Sequence, residues 1–301
     1  MTGRVPVAKT YKIYIDGKFP RTESGRYFAL ADSDGGTVAN VCRSSRKDFR
    51  NAVVAARKAA PGWSAASACL RGQILYRVAE MLEGRAEQFV AELVLQGVAR
   101  RRARKEVAAS IDRLVYYAGW SDKYQQVFSA VNPVSSSHFN FSVPEPTGVV
   151  AILAPDDSGL LGLVSNVAPA IVGGNTVVAL ASERLPLCAV SLAEVIHASD
   201  VPAGVVNLLT GYRDELRTQF ASHMDVNAVV YCDGDDAVAR DIQGEAAGNI
   251  KRVIDRVDTN WSADEEQNPY LIKDTQEIKT TWHPIGSSPR LQRRPVPVHP
   301  D

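Results

Sequence analysis

Apolar positions along this chain follow two different periods, and the changeover falls near Val127. Before it, helical spacing dominates. Phe49, Val53, Ala56 and Ala60 recur at intervals of three and four behind Ser44-Ser45, which predicts a serine-capped helix over residues 47–60, stopped by Pro61-Gly62. Leu70, Ile74, Leu75, Val78 and Leu82 continue the spacing, and Phe89 and Leu93 resume it beyond Gly84. A further helix is predicted over residues 104–124. Ahead of these helices, Tyr14-Ile15-Asp16-Gly17-Lys18 reads as a short strand entering an Asp-Gly hairpin turn.

After Val127 the pattern shortens. Phe139 and Phe141 alternate with Asn140 and Ser142, as in a strand with one exposed face, and Pro144 and Pro146 interrupt it. Residues 148–153 (GVVAIL) are then continuously apolar, the mark of a parallel strand covered on both faces. Similar runs at 176–180, 205–209 and 228–231 alternate with helical spacing at 160–172, 187–197 and 215–222. The alternation predicts an α/β fold: a doubly wound, Rossmann-like parallel sheet with right-handed crossovers. The expected division is an N-terminal region of strands and helices (1–126), a β-arm (127–147) and the α/β core (148–256). A linker with a C-terminal arm strand (257–285) and a disordered Pro/Arg-rich tail (286–301) complete it.

Composition narrows the function classes. Lys plus Arg equals Asp plus Glu at 34 each, so no overall field favours nucleic acid or a membrane surface. The local run Arg100-Arg101-Arg102-Ala103-Arg104-Lys105 adjoins a helical pattern and reads as a solvated helix face. Cys42, Cys69, Cys188 and Cys232 form no CxxC pair and join no histidine at zinc spacing, so no metal site is expected. All four read as small buried or half-buried thiols. The N-terminus has no apolar targeting segment and no apolar run approaches 18 residues, which predicts a cytoplasmic, reduced protein.

Several motifs carry a family resemblance. Tyr14–Lys18 resembles a YIDGKW opening, Ala55-Ala56-Arg57 with Pro61-Gly62-Trp63 an AAR…PGW segment, and Tyr117-Ala118-Gly119-Trp120 a helix that precedes an arm. Ala168-Pro169-Ala170 with Gly174-Asn175-Thr176-Val177-Val178 is close to APAL-AAGNTVV, and Pro202-Ala203-Gly204-Val205-Val206-Asn207 with Thr210-Gly211 to PPGVVNIVTG. Together, from Tyr11 to Arg252, they resemble the nicotinamide-binding half of the aldehyde dehydrogenase family. The family's attacking cysteine lies in a following domain, whereas here the chain runs from Arg252 only to Asp301 and all four cysteines precede Arg252.

The departures fall on positions that the family uses. Its PWN motif supplies an oxyanion-donating asparagine; here the stretch is Pro155-Asp156-Asp157. An ionised Asp157 cannot donate, and loss of one such donor costs about 3 kcal/mol in the transition state. The plain reading of Asp157 is a solvent-facing loop residue that caps a helix. Where the family has KPSE for the adenosine ribose, this chain has Leu180-Ala181-Ser182-Glu183. Only Glu183 remains, and it equally suits a helix N-terminus. The GSTEVG stretch is replaced by Asp233-Gly234-Asp235-Asp236-Ala237-Val238, three carboxylates where a pyrophosphate would sit, without the spacing of a Mg²⁺ or Ca²⁺ site. Thr210-Gly211 is followed by Tyr212-Arg213-Asp214-Glu215, without further glycines. Arg256 stands where LELGGK places the general base. The five histidines lie in separate segments and read as surface or capping residues.

The resemblance therefore implies no catalytic residue and only a vestigial cofactor set, Glu183, Gly211 and Gly234. No cofactor is expected, or NAD if any. Thr275–Trp282 resembles the family's last strand, which joins the 127–147 hairpin in an oligomerisation arm, with Ile278, Thr280 and Trp282 on one face. The expected role is a catalytically inactive, structural or regulatory subunit that pairs with a full-length aldehyde dehydrogenase or with itself. Its Trp282–Gly286 ending resembles the cysteine-less second copy in fused aldehyde dehydrogenases. The alternatives are an active NAD(P)-dependent aldehyde oxidoreductase and a nucleotide-binding sensing module.

Overall fold

A computed structural model of the protein describes residues 9–31 and 36–286. Strands β1 (Lys9–Tyr11), β2 (Tyr27–Ala31) and β3 (Thr37–Cys42) form a small sheet in the order β1-β3-β2. Helices α1 (Arg46–Ala65), α2 (Ala68–Glu83), α3 (Ala86–Leu95), α4 (Arg100–Trp120) and α5 (Tyr124–Phe128) follow, then strands β4 (Ala130–Asn132) and β5 (His138–Pro146). The central unit alternates β6 (Val149–Leu153), α6 (Leu161–Val172), β7 (Thr176–Leu180), α7 (Leu187–His197), β8 (Val206–Leu209), α8 (Arg213–Ser222), β9 (Ala228–Tyr231), α9 (Asp236–Ala246) and β10 (Arg252–Asp255). Helix α10 (Tyr270–Lys273) and strand β11 (Gln276–Pro284) complete it.

The central strands pair in parallel in the order β10-β9-β6-β7-β8, the doubly wound sheet that the apolar runs predict. Every residue of β6, β7, β8 and β9 is buried, because helices cover both faces. The two-residue strand period divides β6 between two cores. Val150 and Ile152 pack with α2, α4, α6 and α7, while Val149, Ala151 and Leu153 face α1 and α8, where Phe49 stacks on Phe220 at 4.3 Å. Each such large side chain contributes about 1.5–3 kcal/mol of apolar burial.

Local chemistry explains the element ends. Ser45 and Asp48 form a reciprocal capping box at the start of α1. Asp16 and Gly17 both adopt positive φ (52° and 71°), as a tight hairpin turn needs, and Ile15 bridges Lys18 across it. Two helical boundaries differ from expectation. Helix α1 runs through Pro61-Gly62 to Ala65, because Trp63 is buried at 3% exposure and its Nε1–H donates to the Ile171 carbonyl at 2.8 Å. That anchor outweighs the lost backbone bond of a proline close to the helix end. Helix α4 begins at Arg100, so the basic run lies within it.

Residues 257–275 do more than link. Trp261, Leu271 and Ile272 join the main core, and Arg113 from α4 donates to the carbonyls of Trp261 (3.1 Å) and Glu266 (2.5 Å). The polar composition of this stretch conceals its few buried anchors. Beyond it, β11 pairs antiparallel with β5 from Gln276↔Pro146 to Pro284↔His138, in a sheet ordered β11-β5-β4. The Ser142 and Thr280 hydroxyls meet at 2.8 Å, and Lys279 pairs with Glu145 at 2.6 Å. Ile278 and Trp282 remain 46% and 57% exposed on this sheet. The segment expected to be a disordered tail lies, from residue 287 onward, outside the described residues. Among the described residues no helix is long and apolar enough to cross a membrane.

Candidate functional site

From β6 the chain winds outward through β7 to β8, then returns to the other side of β6 for β9 and β10. The loops at the carboxyl ends of β6 and β9 therefore diverge, and in open α/β sheets ligands enter at such a switch point. Four loops meet here: Ala154–Asp157 after β6, Ala181–Glu183 after β7, Thr210–Tyr212 after β8, and Cys232–Asp235 after β9.

Arg213, the first residue of α8, occupies their meeting point with its side chain only 14% exposed. One guanidinium nitrogen donates to the Ala154 carbonyl and to Asp156 Oδ1 (3.3 Å), and the other forms an ion pair with Asp233. Asp156 Oδ1 also accepts from the Glu183 amide (2.7 Å), the Arg184 amide (3.3 Å) and the Ser182 hydroxyl (3.1 Å). The Asp156 amide donates to Asp233 Oδ1 at 3.2 Å. Loops from four strands are thus joined by one cation and its two carboxylates.

The groups singled out from the sequence are placed around this lock. Glu183 Oε2 accepts the Arg213 backbone N–H at 3.1 Å, at the N-terminus of α8, where the helix dipole favours its charge. Gly211 has φ of 150°, and a Cβ there would lie 3.1 Å from the Ser44 nitrogen, so this glycine serves the backbone crossing to β3. At Gly234 a Cβ would meet an Asp258 carboxylate oxygen at 3.0 Å. Asp235 Oδ1 accepts from the Ala237 and Val238 amides (2.9 and 3.2 Å), which spends the donors that α9 would offer an anion. Leu180 and Ala181 are fully buried. With three carboxylates (Asp156, Glu183, Asp233) against one guanidinium, and the helix amides already bonded, these residues do not fit a pyrophosphate.

Asp157 is exposed, and the helix-capping role expected of it falls elsewhere. Glu106, reaching from α4, accepts from the Leu160 amide (2.9 Å), the Leu161 amide (3.3 Å) and the Ser158 hydroxyl (2.8 Å) at the start of α6. A side chain 54 and 55 positions away in sequence reaches these amides where the neighbouring aspartate does not. Arg256 follows β10 and its Nη2 donates to Asp274 Oδ2 at 3.1 Å, which tethers the returning segment. Burial pushes the Cys232 thiol up to about 12 and raises that of Cys188 well above its ordinary value, so both stay protonated at neutral pH. Cys42 is buried too, whereas Cys69 is exposed, contrary to the uniform burial expected. It lies in the first turn of α2, where its side chain faces away from the core.

Arg213 is the residue that sequence reasoning passed over. The missing glycines after Gly211 were a visible signal, but the ion pair with Asp233 spans two loops and depends on the strand order.

An all-parallel, doubly wound sheet whose loops converge at a switch point is the architecture of dinucleotide-binding α/β proteins. Residues 21–257 match the aldehyde dehydrogenase family, and the chain belongs to that family. An aldehyde dehydrogenase of Aspergillus niger is 33% identical over 245 residues, covering 80% of this chain and 48% of that protein. Retinal dehydrogenase 2 of Mus musculus is 34% identical over 253 residues, covering 81% and 48%. The NAD⁺ complex of an aldehyde dehydrogenase from Bacillus cereus superposes with a TM-score of 0.78 at 26% identity, over 82% of this chain and 51% of that one. The chain spans about half the length of the curated relatives it matches.

Proposed function

We propose that this chain is a catalytically inactive aldehyde dehydrogenase-like subunit, a structural or regulatory partner of a full-length aldehyde dehydrogenase or of a second copy of itself. The observation that carries the reading is the Arg213 lock, an arginine ion-paired to Asp156 and Asp233 at the switch point. Asp157 in place of the oxyanion amide, Leu180 in place of the ribose-side cation and Arg256 in place of the general base support it from within the matched region. The pairing surface is the β11-β5-β4 sheet, whose β4 and β11 edges are open and whose Ile278 and Trp282 are exposed.

Calorimetric titration of the purified chain with NAD tests the first half of this proposal. The expected result is no saturable heat, and micromolar binding would overturn it. A second reading, a nucleotide-binding sensor, is favoured by the NAD⁺ complex of the Bacillus cereus relative. Under that reading Glu183→Ala weakens NAD binding. Co-purification from the native cell tests the second half, with an aldehyde dehydrogenase subunit or a second copy as the expected partner.

A further inference from the structure

Helix α4 opens on five cations within its first two turns, with no acidic residue in the first turn and no side-chain cap. A helix N-terminus already carries partial positive charge, so the free protein bears an electrostatic cost here. The helix sorts the run into two sets. Arg100 and Arg104 turn to Glu87, at 3.0 and 3.3 Å. Arg101, Arg102 and Lys105 instead line a cavity of about 410 Å³ between α4, the start of α6 and the returning segment, with Leu161 and Trp261 among its walls.

The charge balance inside this cavity is positive. Arg102 is fixed by its bond to the Asp157 carbonyl at 2.9 Å. Arg101 and Lys105 have no ion-pair partner among the described residues. Two carboxylates oppose the three cations. Glu106 is already spent on the α6 amides and the Ser158 hydroxyl, and Asp157 lies exposed at the rim. A concave wall with unpaired cations at an uncapped helix N-terminus concentrates anions. Its volume falls in the range of small-molecule sites.

We infer that this cavity binds a small organic oxyanion, a carboxylate or a phosphate ester, through Arg101, Arg102 and Lys105. The two guanidinium groups offer forked donors matched to such oxygens, and Lys105 adds a point charge. The inference does not depend on the Arg213 lock, although the cavity includes Asp157, the residue that stands in place of the oxyanion amide.

The test uses the full chain and the double variant Arg101→Ala/Lys105→Ala, in chloride buffer at constant ionic strength. Each is titrated calorimetrically with inorganic phosphate and, separately, with succinate. The expected result is saturable binding of at least one probe, weakened by about tenfold or more in the variant. The tighter probe separates a phosphorylated from a carboxylate ligand. Thermal melting gives a second readout: without added anion the variant melts higher than the parent chain, and the bound probe narrows or reverses that order. No saturable binding of either probe, or equal binding by both proteins, would overturn the inference.

Discussion

Replacing Arg213 by methionine keeps most of its volume and removes the guanidinium. Asp156 and Asp233 would then face each other without the intervening cation, and the Ala154 carbonyl would lose a donor. Removing one member of a fully buried pair costs about 3–5 kcal/mol. Here the carboxylate side chains retain 31% and 24% exposure, so water recovers part of that, and about 2 kcal/mol is the expected loss. Asp233→Asn alone should cost less, since Arg213 keeps Asp156 and the Ala154 carbonyl. In the double variant the asparagine removes the repulsion that the methionine exposes, so the two losses should fall short of additive by about 1 kcal/mol. Urea unfolding of the parent and the three variants, followed by circular dichroism at pH 7, measures the cycle. Additivity within about 0.5 kcal/mol would show that the guanidinium and Asp233 do not interact, and the lock would lose its basis.

The arm is tested by Trp282→Ala, which should lower the assembly mass in light scattering, because a central indole at an interface is worth about 2 kcal/mol or more. A truncation for the same purpose should begin at Ile278 rather than at Thr275. Thr275 and Gln276 are buried at 2% and 1% and bond Asn175 and Gly173, so their loss would open the core. Lys251 is 8% exposed, and burial lowers its ammonium to about 8 from 10.5. The folded state therefore releases this proton more readily than the unfolded state, and the full penalty applies below pH 8 and fades as pH rises towards 10.5. Lys251→Met should thus stabilise the protein at pH 7 by about 1–3 kcal/mol, with a smaller gain at pH 10 in denaturant titrations. A gain independent of pH would point to packing instead of charge.

Much of the architecture was legible as periodicity. The apolar runs of β6, β7 and β9 needed no context, because a strand covered on both faces must be apolar throughout. The β5–β11 pairing was legible only through the resemblance to the family's arm, since alternation alone does not choose a partner for segments this far apart. Trp63 and Trp261 were not legible in the same way. One carries α1 past a proline and the other anchors a polar stretch, and both depend on where distant elements bring their packing surfaces.

The candidate site divides along the same line. Sequence by itself determined which groups are present: Asp157 and the carboxylates of 233–236 repel an oxyanion or a pyrophosphate by charge, Leu180 supplies no cation, and Arg256 holds no lone pair with which to act as a base at neutral pH. Tertiary structure decided what each group does. The order β10-β9-β6-β7-β8 brings the loops after β6, β8 and β9 to one point, so Arg213 reaches Asp156 and Asp233. It also lets Glu106 cap α6, while α4 turns part of its basic run into a cavity. Residue types are local properties of a chain, but the distances that make charges into ion pairs are set only when the sheet closes its order.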